Sequence, residues 1–236
     1  MIFLMADTET CNTIDNEGKL DMSNVLPYDL GMSVINEQGE VFEKVSLIIE
    51  EIYYGMPDLM ATAYYSNKLP QYDKDIAEGK RKVVNIYQAQ KILWELKRKY
   101  GIEVIVSHNA RFDNIALKNL SRYITKSKYR YFLPRGMEYY DTLKMARDTI
   151  CKEPTYLEFC MANGYMTKHK TPRPRLTAEI LYRYITNDLD FVESHTGLED
   201  VDIERQILAY CFSKHQAMAK GAWEKSHYKK VVEVVD

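Results

Sequence analysis

An apolar run, Met1–Ala6, opens the chain and stops at Asp7-Thr8-Glu9-Thr10. A short apolar run that meets polar residues predicts a buried strand. On a strand, side chains two positions apart share a face, so Asp7 and Glu9 should stand side by side at the margin of a core. The stretch LGMSVINEQGEVFEKVSLII carries two further runs about a turn signal at Asn36–Gly39. It predicts two more strands, giving three consecutive antiparallel neighbours. Periodicity then fades from Tyr53 to Lys82, where Gly55, Pro57, Pro70 and Gly79 intervene, and an irregular insertion or flap is expected.

Helical spacing returns with Ile86, Leu93 and Leu96, a basic last turn and Gly101 as the stop. EVIVSHN predicts a short buried strand. ARFDNIALKNLSRYI predicts a helix with Phe112, Ala116, Leu120 and Tyr123 or Ile124 on one face. A strand near Met137–Asp141 follows, then helices near Leu143–Ile150, Thr155–Asn163 and Leu176–Ile185, and a last helix from Leu198 to His215. Strands first, then strands alternating with helices, predict an α/β fold with a mixed central sheet flanked by helices.

Composition changes little in this picture. The 236 residues are 46% hydrophobic and 28% charged, which fits one well-buried globular domain rather than a disordered chain. The net charge of -2 gives no overall attraction to nucleic acid, so local charge must decide that point. Cys11, Cys151, Cys160 and Cys211 lack Cys-x-x-Cys spacing and read as reduced thiols of an intracellular protein. Neither a signal peptide nor a membrane-length apolar stretch is legible, so a cytoplasmic protein is expected.

Acids recur where chemistry could use them. Asn109 is a plausible N-cap, with Asp113 in the following first helical turn. Thr196-Gly197-Leu198-Glu199 has capping-box spacing and places Asp200 in the first turn of the last helix, with His195 just before it. Taken singly, an acidic pair after a strand is a solvated turn, and a first-turn Asp serves the helix dipole. His108 alone reads as a packed core histidine. The repeated His-x4-Asp spacing (His108/Asp113, His195/Asp200) also suits a binuclear zinc site poorly, because zinc prefers more nitrogen or sulfur donors.

Together, DTET, HNARFD and HTGLED, in that order, resemble the motifs of the DEDDh (DnaQ-like) 3′→5′ exonucleases of the ribonuclease H-like superfamily. YDTLKMAR, Tyr140–Arg147, also looks like the segment between the second and third motifs. The small size and Tyr-rich insertion are reminiscent of phage-encoded members, for which the compartment would be the host cytoplasm. The resemblance implies three antiparallel strands followed by parallel ones, in an exonuclease domain over residues 1–215. That domain carries the insertion around 53–82, and a basic tail follows at 216–236. It implies two divalent ions, Mg²⁺ or Mn²⁺, held by Asp7, Glu9, Asp113 and Asp200. It also implies His195 as general base, with His108 as rival, and Thr8, Glu9, Thr10, Asn109 and Phe112 around the 3′-terminal nucleotide. Gathering four carboxylates becomes favourable once cations share the site.

The implied reaction is hydrolysis at the 3′ end of single-stranded DNA, releasing nucleoside 5′-monophosphates in proofreading or DNA degradation. RNA, as for ribonuclease T and oligoribonuclease, is the alternative, and a polymerase or replication partner is compatible. A non-catalytic nucleic-acid-binding module should have lost one of the acids, and all are present. A small-molecule phosphodiesterase would not need the basic and aromatic patches. One patch holds Lys118, Arg122, Lys126, Lys128, Arg130 and Arg135 among Tyr123, Tyr129, Tyr131 and Phe132; the other is KHKTPRPR, Lys168–Arg175. Such interleaving suits phosphates and unstacked bases.

Overall fold

The computed structural model describes residues 1–12, 17–19, 21–124 and 131–214. Strand β1 (Ile2–Cys11) pairs antiparallel with β2 (Leu26–Asn36), which pairs antiparallel with β3 (Val41–Ile49). The turn expected at Asn36–Gly39 is present. Gly39 takes the left-handed conformation (φ 76°), and its amide donates to the Asn36 carbonyl at 3.0 Å.

Three short helices follow, α1 (Glu50–Tyr53), α2 (Pro57–Met60) and α3 (Leu69–Ala77), then strand β4 (Lys82–Val84). The segment expected to be irregular is therefore largely helical. Proline occupies the first turns of α2 and α3, where its missing N–H costs nothing. Helix α4 (Ile86–Tyr100) has a reciprocal cap between Asn85 and Gln88 and ends at left-handed Gly101, as its spacing predicts.

Strand β5 (Val104–Ser107), helix α5 (Arg111–Ile124), strand β6 (Glu138–Asp141), and helices α6 (Thr142–Asp148), α7 (Pro154–Ala162), α8 (Ala178–Thr186) and α9 (Gly197–Ser213) complete the described elements. The sheet order is β4-β3-β2-β1-β5-β6. Strands β5 and β6 run parallel to β1, and β4 runs parallel to β3. The expected mixed sheet is thus present, with a further edge strand that three residues of pattern could not reveal.

Every residue of β2 except Asn36 is buried. This antiparallel strand lacks polar alternation because α9 and α5 pack against it. Cys11, Cys160 and Cys211 are buried free thiols and Cys151 is partly buried. Burial pushes Cys11 and Cys211 up to about 12, which makes them inert core residues. Among the described residues, no helix is long and apolar enough to cross a membrane.

Candidate active site

The pairing of β1 with β5 covers only Phe3–Met5, so the end of β1 runs on beyond its parallel neighbour. The carboxyl ends of parallel strands, where the chain diverges to either side, are where open α/β sheets form their clefts. A cavity of about 840 Å³ lies there, lined by Asp7, Thr8, Glu9 and Thr10 of β1, His108, Asn109, Phe112 and Asp113 after β5, and His195, Asp200 and Glu204 at α9. The residues expected from three distant stretches share this one cleft.

Carboxylate oxygens of Asp7, Glu9 and Asp200 lie within 4.8 Å of one another. A second group, Glu193, His195 and Asp200, meets the same limit. Asp113 stands apart from both groups. Its Oδ1 accepts hydrogen bonds from the Thr8 amide (3.1 Å) and the Thr8 hydroxyl (2.8 Å). Thr8 therefore fixes the Asp113 carboxylate rather than presenting a free hydroxyl to a ligand. Thr10 is buried, Asn109 is exposed with φ 64°, and Phe112 is half-buried at the cleft wall. The Asn109 amide donates to Asp141 Oδ1 at 3.0 Å, and the same oxygen accepts from Leu143 N at the start of α6. Asp141 thus pins the loop after β5.

The two candidate histidines differ in freedom. His108 has Nδ1 at 2.9 Å from the Thr142 hydroxyl and Nε2 at 2.7 Å from the Leu176 carbonyl, so both ring nitrogens are occupied. His195 lies on the cleft wall with left-handed φ 56°, its Nδ1 3.8 Å from Glu193 Oε2. Tyr65 stacks flat upon it, with ring centroids 4.1 Å apart and an interplanar angle of 7°. Tyr64 meets Tyr65 edge-on. Both tyrosines precede α3, and their segment gave no periodic signal in the sequence.

Two contacts seat α9. Gly31 of β2 passes so close to Gly197 that a Cβ at 31 would lie 2.1 Å from the Gly197 carbonyl carbon. Beside it, Asp29 Oδ2 accepts from Gly197 N at 3.0 Å and from the Tyr72 hydroxyl at 2.7 Å. Arg81, buried, bridges α3 to this point: it reaches Asp75 at 3.0 Å, Asp29 at 3.3 Å and Glu199 Oε2 at 2.8 Å. Its guanidinium also lies over the Tyr72 ring at 4.6 Å. The capping box expected at Thr196 is replaced for this reason. Glu199 is held by Arg81, and the Thr196 hydroxyl donates to Glu199 Oε2 (2.6 Å) instead of capping the helix backbone.

Electrostatically the acids of the cleft crowd one another. Burial, then the neighbouring carboxylates Glu204, Asp113, Glu9 and Asp200, raise Asp7 well above the usual range. Burial and Asp200 push Glu9 up to about 9, and burial with Glu193 pushes Asp200 up to about 8. Burial raises Asp113 to about 7 against the opposing Thr8 hydrogen bonds. Among the described residues, no lysine or arginine pairs with any of these four acids. Glu204 Oε2 is buried with no partner at all. Hard oxygen donors carrying excess negative charge fit Mg²⁺ or Mn²⁺.

A stability prediction follows from these directions. Without metal, each raised carboxyl keeps a proton that the unfolded chain releases near pH 4, as model carboxylates do. The unfolded state then binds fewer protons, so stability falls as pH rises. The loss begins near the unfolded value and runs through about 7 for Asp113, 8 for Asp200 and 9 for Glu9. Chemical denaturation in chelator should therefore give a falling unfolding free energy from about pH 5 to about pH 9. Excess Mn²⁺, which binds the ionised native site, should flatten that slope.

Neither a family model nor a curated protein matches the chain. Solved structures do. The nuclease domain of 3′hExo, a DEDDh family member, bound to rAMP, aligns with TM-score 0.61 at 11% identity over 92% of this chain and 94% of that one. A full-length 3′-exonuclease aligns with TM-score 0.60 at 11% identity, over 92% and 84%. E. coli Exonuclease I in complex with a dA16 oligonucleotide aligns with TM-score 0.54 at 14% identity, over 90% of this chain and 42% of the longer enzyme. The chain thus carries the α/β fold that these exonuclease structures share.

Proposed function

We propose that this chain is a DEDDh-type 3′→5′ exonuclease that uses two divalent ions to release nucleoside 5′-monophosphates from single-stranded 3′ ends. The observation that carries the reading is the convergence of Asp7, Glu9, Asp113, His195 and Asp200 on one cleft of an exonuclease fold. DNA is the preferred substrate and RNA the second. Among the fold neighbours, one is bound to rAMP and another to a dA16 oligonucleotide. In this proposal residues 1–215 form the catalytic domain. The protein acts in the cytoplasm, or in that of a host, and a polymerase is an admissible partner.

Asp7, Glu9, Asp113 and Asp200 would hold the ions. When bound, the ions would polarise the scissile phosphodiester and share the charge of the in-line transition state. His195 accepts the proton of the attacking water at a ring nitrogen, and burial lowers its pKa, keeping the ring in the neutral form that can take a proton. Tyr65 fixes the ring plane. Thr8 acts indirectly by orienting Asp113, while Phe112 and the Thr10 backbone flank the space for the last nucleotide.

Arg147 and Arg175 also line the cleft and are the cations nearest to hand for the phosphates that follow. Lys168 and Lys170 are exposed close by. Of the other patch, Phe132 is buried core and Arg122 lies over Tyr123, so stacking falls to exposed Tyr131. Lys126, Lys128, Tyr129 and Arg130, and the tail 216–236, lie outside the described residues.

End-labelled single-stranded DNA and RNA, incubated with Mg²⁺, Mn²⁺ or chelator, test the proposal. Metal-dependent shortening from the 3′ end supports it, and intact substrate in every lane overturns it. His195→Gln should lower kcat about 10²- to 10⁴-fold, the usual worth of a general base. Tyr65→Ala should lower kcat about 2- to 10-fold with KM little changed, matching the loss of one aromatic contact, and Tyr65→Phe should retain the rate. Equal rates for Tyr65→Ala and wild type would remove the stacking role.

A further inference from the structure

Glu204 was legible in the sequence only as a helix residue, yet it is among the most consequential groups in the cleft. It lies four residues after Asp200 on α9, hence on the same helical face. Its side chain lines the cavity and is 3% exposed. The main-chain amide of His108 donates to its carboxyl. Oε2 has no partner.

A buried carboxyl oxygen with no hydrogen-bond partner needs compensation, because an unsatisfied buried polar atom costs stability. A structural role in the core would provide a donor for the second oxygen. Here the Glu204 side chain lines the cleft where the other acids gather. We propose that Glu204 is a fifth carboxylate of the metal centre, with Oε2 directed at a divalent cation held by Asp7, either directly or through one water. This inference rests on the exonuclease reading and deepens it. Four carboxylates balance two divalent ions, and a fifth leaves the loaded centre with one excess negative charge. Affinity for cations should therefore be higher than the four expected acids supply.

Mn²⁺ binding provides the test, by calorimetry and by the paramagnetic signal of free Mn²⁺, using the intact chain without nucleic acid. Glu204→Gln keeps the shape and the main-chain contact but removes the charge. It should weaken at least one Mn²⁺ by about 10- to 100-fold, the range found when a group supporting a metal ligand is lost. Glu204→Asp should recover part of that loss. The rise in Tm on adding Mn²⁺ should shrink in Glu204→Gln. Mn²⁺ affinity and stoichiometry equal to wild type in Glu204→Gln, while Asp7→Asn abolishes binding, would overturn the proposal for Glu204 and leave the exonuclease reading intact. The weakening in Glu204→Gln, seen in a protein that shortens no labelled nucleic acid, would support the fifth ligand and overturn the exonuclease reading instead.

Discussion

Asp7→Asn should reduce exonuclease turnover about a thousandfold or more, while the protein folds as well as wild type in chelator. Asp7 belongs to a cluster of carboxylate oxygens in the cleft, with Glu9 and Asp200, so the substitution removes a negative charge that would hold the ions. Charge stabilisation by a metal is worth several kcal/mol, and about 4 kcal/mol corresponds to about a thousandfold in rate. Stability should move the other way, since Asp7 is raised by burial and by four neighbouring acids. A neutral amide there relieves repulsion in the metal-free state, and Tm in chelator should stay level or rise. Turnover at the wild-type rate would remove Asp7 from the chemistry. A large fall in Tm would reassign it to structure.

The second large effect is expected at a residue that touches no substrate. In Gly31→Ala the new Cβ would lie 2.1 Å from the Gly197 carbonyl carbon and 2.3 Å from Leu198 N. Both obstacles are main chain, so no rotamer change relieves the clash, and α9 must lift from β2. The cost should be at least about 3 kcal/mol, the upper range for overpacking. For a chain of this length that corresponds to a Tm lower by about 6–12 °C. Activity should fall further than the unfolded fraction explains, because lifting α9 draws Asp200 and His195 away from Asp7. Gly197→Ala meets its nearest atom at 2.9 Å and should be milder. Wild-type melting and turnover in Gly31→Ala would mean that α9 is not seated on that glycine.

Much of this arrangement was legible in the chain. The antiparallel opening strands, α4 with its Gly101 stop, and α5 followed from strong periodicity and from turn residues. The acids were legible because three separate stretches each placed a carboxylate at a strand end or first helical turn. Other features left no such trace. Strand β4 spans three residues, too few for a period. The 53–82 segment is anchored by the polar hub of Arg81, Asp29, Asp75 and Glu199, in which Tyr72 and Arg81 meet partners far away in sequence. Hydrophobic spacing is blind to such an anchor. The stacking of Tyr65 on His195 and the free oxygen of Glu204 exist only once the tertiary fold has formed. Glu193, whose carboxyl burial raises to about 7, was missed for the same reason.

The site also has an order of birth. Asp7 and Glu9 are made before the rest of the site, whereas His195, Asp200 and Glu204 arrive 188 to 197 positions after Asp7. At about 5–20 residues per second that delay is about 10–40 s. On the exonuclease reading, a product truncated before α9 would hold Asp7 and Glu9 but lack Asp200 and Glu204, and so could not complete the site.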